Sequence, residues 1–140
     1  MATIIITAAS VIPASGASYM TGKLAGETLT AGLWVYLKES DGRLWSADNG
    51  TAANASIVGL TANGGAAGQP ITVITKSTSC AVGSVVSSGA PYFLSNTAGK
   101  MYDYGDLGTN VFPTIAAYAI SATAIQFDHT NPLTLIMFPN

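Results

Sequence analysis

Asp128-His129 is the pair in this 140-residue sequence that most resembles catalytic machinery. A carboxylate beside an imidazole supports general acid–base catalysis when both side chains reach the same reacting group. Neighbouring residues of a β-strand, however, point to opposite faces of the sheet. His129 is the only histidine in the chain. We therefore expect it to have a structural role or to face solvent.

Other chemistry-bearing patterns are incomplete. Asp103 and Asp106 lie on a glycine-containing loop that is compatible with a calcium ion or with a solvated loop, whereas metal sites normally need more His, Cys or carboxylate ligands. The run NGGAAG (63–68) lacks the Lys-Ser/Thr of a phosphate-binding loop and is better explained as a hairpin loop. No Gly-x-Ser-x-Gly nucleophile motif occurs. Seven acidic residues permit a glycosidase pair by number, but none has a context that predicts a raised pKa. We predict a protein that is not an enzyme and has no cofactor and no metal.

Charge is sparse along the whole chain. Only 9% of the residues are charged, the net charge is −2 and hydrophobic residues make up 49%, whereas about 25% charged residues are typical of soluble domains. The five basic residues are scattered, so we expect no nucleic-acid partner, which would require a cluster of Lys and Arg. A surface with so few charges indicates either burial by other subunits or a neutral Ser/Thr coat.

Three features that the sequence lacks bear on the expected cellular location: an internal disulfide, a signal peptide and a membrane span. The single cysteine, Cys80, permits no internal disulfide and lies in an apolar run that predicts a buried, unreactive thiol. Residues 1–6 lack the positive region of a signal peptide. The uncharged stretch 107–127 contains Pro113 and several polar residues, so it falls short of the roughly 20 apolar residues of a membrane span. We expect synthesis in a reducing cytoplasm and no membrane partner.

Two stretches have the sequence pattern of a β-hairpin, and the other predicted strands are arranged around them. Residues 26–45 alternate in polarity, turn at Asp41-Gly42 and return through Trp45, which is typical of a β-hairpin. Residues 83–102 align with them without a gap, 57 positions later. The match predicts a repeated hairpin unit; two unrelated hairpins that share turn glycines are the alternative.

The remaining segments predict an all-β fold. Short β-branched or alternating runs bounded by turn residues favour a small β-sandwich or barrel of about ten short strands, with two hairpin units, little helix and an N-terminal arm. We divide the chain into an N-terminal strand and arm (1–24) and a single all-β domain (25–140), with residues 8–20 irregular. The predicted strands outside the hairpins are 3–7, 56–61, 69–76, 82–86, 112–120, 124–128 and 133–138.

Aromatic residues are concentrated on the two predicted hairpins. They could form a surface that stacks against sugars, or they could pack in a core or a subunit interface, where aromatic side chains dominate the buried area. The residues in question are Trp34, Tyr36, Trp45, Tyr92, Phe93 and Tyr102.

From about Ala25 to Phe127 the chain resembles the small capsid decoration (cement) proteins of tailed bacteriophages. The resemblance lies in the order and spacing of three pieces. They are Ala31-Gly32-x-x-Val35-Tyr36, then Gly59-Leu60 with Gly68-Gln69-Pro70-Ile71-Thr72-Val73, and finally Tyr92-Phe93-Leu94-Ser95-x-Thr97-x-Gly99.

The resemblance implies a structural virion protein that binds the outer surface of the capsid and stabilises the shell. It implies the major capsid protein as partner, assembly as a homotrimer, and an N-terminal segment that contacts the capsid or a sister subunit. A tail or fibre module that recognises a host receptor is the alternative. The residues expected at an interface are Ile4, Ile5, Ile6, Val11, Ile12, Trp34, Tyr36, Trp45, Tyr92 and Tyr102.

Overall fold

A computed structural model describes residues 4, 6, 10–83, 86–103 and 114–130. These residues contain ten β-strands and no α-helix. The strands are β1 (Ile12–Pro13), β2 (Ser18–Leu24), β3 (Trp34–Leu37), β4 (Leu44–Ser46), β5 (Ile57–Thr61), β6 (Pro70–Ala81), β7 (Pro91–Leu94), β8 (Met101–Asp103), β9 (Ile115–Ala119) and β10 (Ala124–Asp128).

All ten strands belong to one antiparallel sheet that curls into a half-barrel. The order is β4-β3-β5-β6-β10-β9-β7-β8, and β1 and β2 also pair with β6. At 12 residues, β6 is the longest strand. It can therefore pair with β2 and β5 near its beginning and with β1 and β10 near its end.

The two predicted hairpins are present, and they share one register. The turn glycines also match: Gly42 and Gly99 both have positive φ, as do Gly32 and Gly89 just before each hairpin, a conformation that costs glycine little. The paired residues are Val35–Ser46, Tyr36–Trp45 and Leu37–Leu44 in the first hairpin, and Tyr92–Asp103, Phe93–Tyr102 and Leu94–Met101, each 57 positions later, in the second.

The repeat extends to two further strands. β5 pairs with β3, and β9 pairs with β7, through a register shift at the equivalent place: between Val35 and Tyr36 in one case and between Tyr92 and Phe93 in the other. We name β3, β4, β5 and the first part of β6 the first unit, and β7 to β10 the second unit. The two units meet where β6 pairs with β10, at Lys76 and Asp128.

The two units bury different faces. The main core contains Trp34, Tyr36, Leu60 and Ile74 of the first unit together with most of the apolar side chains of the second. A smaller core covers the opposite face of the first unit and contains Val35, Leu44, Ile71 and Val73, with Ala25 and Leu29. The first unit is therefore buried on both faces.

The predicted fold class is confirmed: the described residues form an all-β fold with ten strands, most of them short, and two hairpin units. Predicted strand 124–128 matches β10, and predicted strand 69–76 is longer in the structure. The irregular stretch predicted at 8–20 is wrong for β1 and for the start of β2, which pair with β6. Alternation was too weak to reveal them because Thr21 and Gly22 lie at a register shift in β2.

Two other predictions differ or are only partly covered. The strand predicted at 82–86 is wrong for Val82, Gly83 and Val86, which lie in a connection whose backbone is bonded to the turn at 122–123. For the strand predicted at 3–7, Ile4 forms a single bridge with Met101. Residues 112–113 and 133–138 lie outside the described residues.

Candidate functional site

Four of the five predicted interface aromatics lie inside the protein. Trp34, Tyr36, Tyr92 and Tyr102 are buried, with Trp34 fully so. Trp34, Tyr36 and Tyr92 pack in the main core, and Tyr102 is buried to a similar extent, so these four side chains have little area left for a partner surface. Of the alternatives that the sequence left open for these aromatics, packing in the core is the one that agrees with the burial of these four residues.

Trp45 is the remaining member of that set, and it lies half-buried beside the first turn. Lys38 Nζ lies 4.4 Å from the centre of its ring. Its indole nitrogen donates a hydrogen bond to Asp41 Oδ2 at 3.1 Å. A backbone hydrogen bond from Arg43 is the main reason that the pKa of Asp41 is lowered, and the bond from Trp45 adds to it. The turn is thus an ordered, charged tip and not an open aromatic platform.

The predicted N-terminal interface residues differ in exposure: some are buried and one is exposed. Ile6 is buried, and Ile4 and Val11 are half-buried against the main core. Ile12 is 64% exposed. Ile5 lies outside the described residues.

Two exposed apolar residues of β2 were missed by the sequence reasoning, which treated part of this strand as an arm. Tyr19 is 50% exposed and Leu24 is 38% exposed. We call Ile12, Tyr19 and Leu24 together the N-terminal apolar surface, although they lie at separate places along β6, opposite Ala81, Ile74 and Pro70. A sequence pattern that could have predicted these exposed positions on β2 is the placement of Tyr19 and Leu24 directly after the polar residues Ser18 and Lys23.

A groove of about 440 Å³ lies where β6, β9 and β10 run side by side. Its walls include the apolar residues Ile115 and Phe127 and the half-exposed Tyr118, and Lys76 and Asp128 stand among its polar residues. Lys76 Nζ lies 4.0 Å from Asp128 Oδ2. Hydrogen bonds from Thr130 lower the pKa of Asp128, and Lys76 contributes less. Because both side chains are about half exposed, such a pair stabilises the fold little.

His129 also borders the groove, but its side chain is only 5% exposed. Its Nε2 atom lies 2.8 Å from the carbonyl oxygen of Ala116. Burial lowers the pKa of His129. The neighbouring Asp128 carboxylate bonds to Thr130, so the two do not form a hydrogen-bonded acid–base pair. The expectation of a structural histidine agrees with this geometry.

The remaining candidate ligands are dispersed. Cys80 is buried, and burial raises the pKa of its thiol to about 11, so it is a poor nucleophile at neutral pH. No group of three or more His, Cys, Asp or Glu side chains that could hold a metal occurs in the described part of the chain. Asp106 of the possible calcium loop lies outside it. Within the same residues, no helix has the length and apolar character to cross a membrane.

No protein-family model matches the chain, and a search of curated proteins finds no match. The arrangement of the described side chains offers exposed apolar residues, a charged turn and a groove.

Proposed function

We propose that this protein is a structural, non-catalytic decoration protein that binds the outer surface of a phage capsid and stabilises the shell. The observation that carries the proposal is the N-terminal apolar surface: Ile12 and Tyr19 are at least half exposed in a chain with only 9% charged residues. The resemblance described above points the same way. We further propose the major capsid protein as partner, a homotrimer as the assembled form, and the virion surface as the location.

The energetics of such contacts favour this role. Complete burial of a fully exposed isoleucine side chain contributes about 1.5–3 kcal/mol, so the partly exposed Ile12 can contribute part of that amount. Stable interfaces bury on the order of 1,600 Å² with few charges at the centre. Many copies on one shell act together, so modest contacts give high avidity.

The test is co-sedimentation of the purified protein with capsids that lack it. We expect near-stoichiometric binding and a higher temperature of particle rupture. Ile12→Asp should reduce binding at least tenfold, because it places a charge in the contact. Tyr118→Ser, on the second unit, is the matched control and should bind as the unaltered protein does.

Equal binding by all three proteins would reject the N-terminal apolar surface as the docking site. No binding by any of them, together with a correctly folded protein, would reject capsid decoration.

A second candidate is a tail or fibre module that recognises a host receptor, and the groove favours it. Tyr118 is 42% exposed there, beside Gln126 and the Lys76–Asp128 pair. An exposed aromatic ring with amide and charged neighbours suits a glycan. Binding of the isolated protein to host cells, lost in Tyr118→Ser and retained in Ile12→Asp, with only a few copies per particle, would support this function over the first.

A further inference from the structure

His129 occupies the junction between the two units. Its backbone N–H donates to the carbonyl oxygen of Thr75 on β6 at 2.7 Å. Its ring lies edge-on to Trp34 of the first unit, with centroids 5.6 Å apart, and stacks against Phe127 of the second at 6.0 Å. One side chain therefore contacts β3, β9 and β10.

The hydrogen bond of the ring determines its tautomer. A carbonyl oxygen only accepts, so Nε2, which bonds to Ala116, carries the proton. Nδ1 of the neutral ring is then an acceptor, and it is buried without a partner among the described residues. The indole nitrogen of Trp34, an obligate donor, is buried and unpaired in the same sense.

We propose that His129 is an acid-sensitive joint: protonation of Nδ1 separates the end of β10 from β3 and loosens the contact between the two units. A proton on Nδ1 converts a tolerated acceptor into a buried donor and a positive charge. The two rings against it, those of Trp34 and Phe127, supply no acceptor atom. Burial of an unpaired charge is expensive, so the protonated ring turns towards water at the groove that it borders, and this movement weakens its contact with Trp34.

The charged groups nearby oppose this effect only weakly. On β10 the carboxylate of Asp128 attracts a proton to His129, but it is exposed and engaged with Thr130. On β6 the ammonium group of Lys76 stands 4.0 Å from that carboxylate and offsets it. β9 and β3 contribute only the phenols of Tyr118 and Tyr36. Burial is the largest influence on His129 and lowers its pKa.

The direction of the pH dependence follows from this. In the unfolded chain the imidazole has its ordinary pKa, about 6.5. The folded protein holds the ring neutral below that pH, so stability falls as the pH drops from about 6.5 to the lower pKa of the folded state. Within that window one additional proton binds on unfolding, which changes the unfolding equilibrium up to roughly tenfold per pH unit.

The experiment is an NMR titration of the whole chain from pH 7.5 to 4.5. With one histidine and two tryptophans, every reporter signal is assignable. We expect the ¹⁵N shifts at pH 7 to show the Nε2–H tautomer. As the pH falls, the Trp34 indole N–H should broaden or lose protection from exchange, whereas the Trp45 indole should not. Reversible titration of His129 at about pH 6.5 with an unchanged Trp34 signal would overturn the proposal.

A variant provides the second measurement. His129→Gln keeps a donor near the Nε2 position and cannot titrate. Urea unfolding of this variant should change less than twofold per pH unit between pH 6.5 and 4.5. A slope equal to that of the unaltered protein would also overturn the proposal. If the variant does not fold, the titration of the unaltered chain decides the question.

Discussion

The two units have the same backbone plan and opposite exposure. Their hairpins share three residue pairs at a constant distance of 57 positions, and the adjoining strands share a register shift. Yet the first unit is buried on both faces, whereas the second carries the exposed Tyr118 and Gln126. A strand plan can therefore be repeated without repeating the surface that it presents.

The difference in exposure follows from the side chains at equivalent positions of the two units. Trp34, Leu60 and Ile74 pack in the main core. Their structural counterparts in the second unit are Pro91, Tyr118 and Gln126. At these three places the second unit has only one large apolar side chain, Tyr118, so this face has less apolar area to drive its burial.

The turns of the two hairpins also differ in exposure. The first turn is exposed and carries Lys38, Glu39, Asp41 and Arg43, four of the twelve charged residues. The second turn is docked into the first unit: Gly99 accepts a hydrogen bond from the N–H of Trp34 and donates one to Ala47. The equivalent residues 95–100 carry a single charge, on the half-exposed Lys100, so Ser95 and Gly99 can be buried there with little desolvation of charge.

The largest effect that tests this comparison is expected at Trp34. Trp34→Ala should reduce the free energy of unfolding by about 3–5 kcal/mol, because it empties the centre of the main core. Pro91→Ala, at the equivalent place, should cost only about 1 kcal/mol. Urea denaturation measures both, and similar losses would show that the two units contribute equally to the core.

The two units also differ in how closely their strands approach each other at one position, where β5 has a glycine and β9 has an alanine. A Cβ atom on Gly59 would lie 2.2 Å from the carbonyl oxygen of Ile74, so the two strands would have to separate. Its counterpart is Ala117, which fits. Gly59→Ala should cost about 3 kcal/mol, against about 1 kcal/mol for Ala117→Gly.

The thermal midpoints of these two variants provide the check. A tolerated Gly59→Ala would mean that β5 and β6 lie farther apart in the first unit than the structure places them.

Sequence reasoning could predict the hairpins because turn chemistry and alternation are local. Asp41-Gly42 and the alternating residues of β3 determine a register without help from the rest of the chain. β1 and β2 are different, since they are held by pairing with β6. Residues 12–13 are too few to show a period, and Gly22 interrupts β2. Tertiary context, not local pattern, defines these strands.

The candidate surface was harder to predict for a related reason. Alternation distinguishes two faces of a strand but does not say which face another part of the chain will cover. Trp34 and Trp45 were equivalent in the sequence reasoning, yet one is fully buried and the other is not. Capsid binding, the partner and the trimer stay predictions.

The docked turn can be tested with a matched pair of glycines. Gly42 and Gly99 both have positive φ, but a Cβ atom on Gly42 would meet nothing within 4 Å, whereas one on Gly99 would lie 2.8 Å from Leu33 Cδ2. Gly42→Ala should cost about 1 kcal/mol from backbone strain alone. Gly99→Ala should cost about 1–2 kcal/mol more, because either the Leu33 side chain or the turn must shift to make room. Equal losses of stability would mean that the second turn is not a fitted contact.

The smallest difference expected is at a hydroxyl that only the first unit has. Thr61 Oγ1 donates to the carbonyl oxygen of Thr30 at 2.7 Å and accepts from the N–H of Leu33 at 2.9 Å, whereas Ala119 fills the equivalent place on β9. Thr61→Val keeps the shape and removes both bonds, leaving a buried backbone N–H without this acceptor, so it should cost about 1–2 kcal/mol. Thr61→Ser retains the hydroxyl and should recover part of that loss, as chemical denaturation can measure. If Thr61→Val is as stable as the unaltered protein, the segment before β3 is held by packing alone. The second unit, which has Ala119 at the equivalent place, would then need no such hydroxyl either.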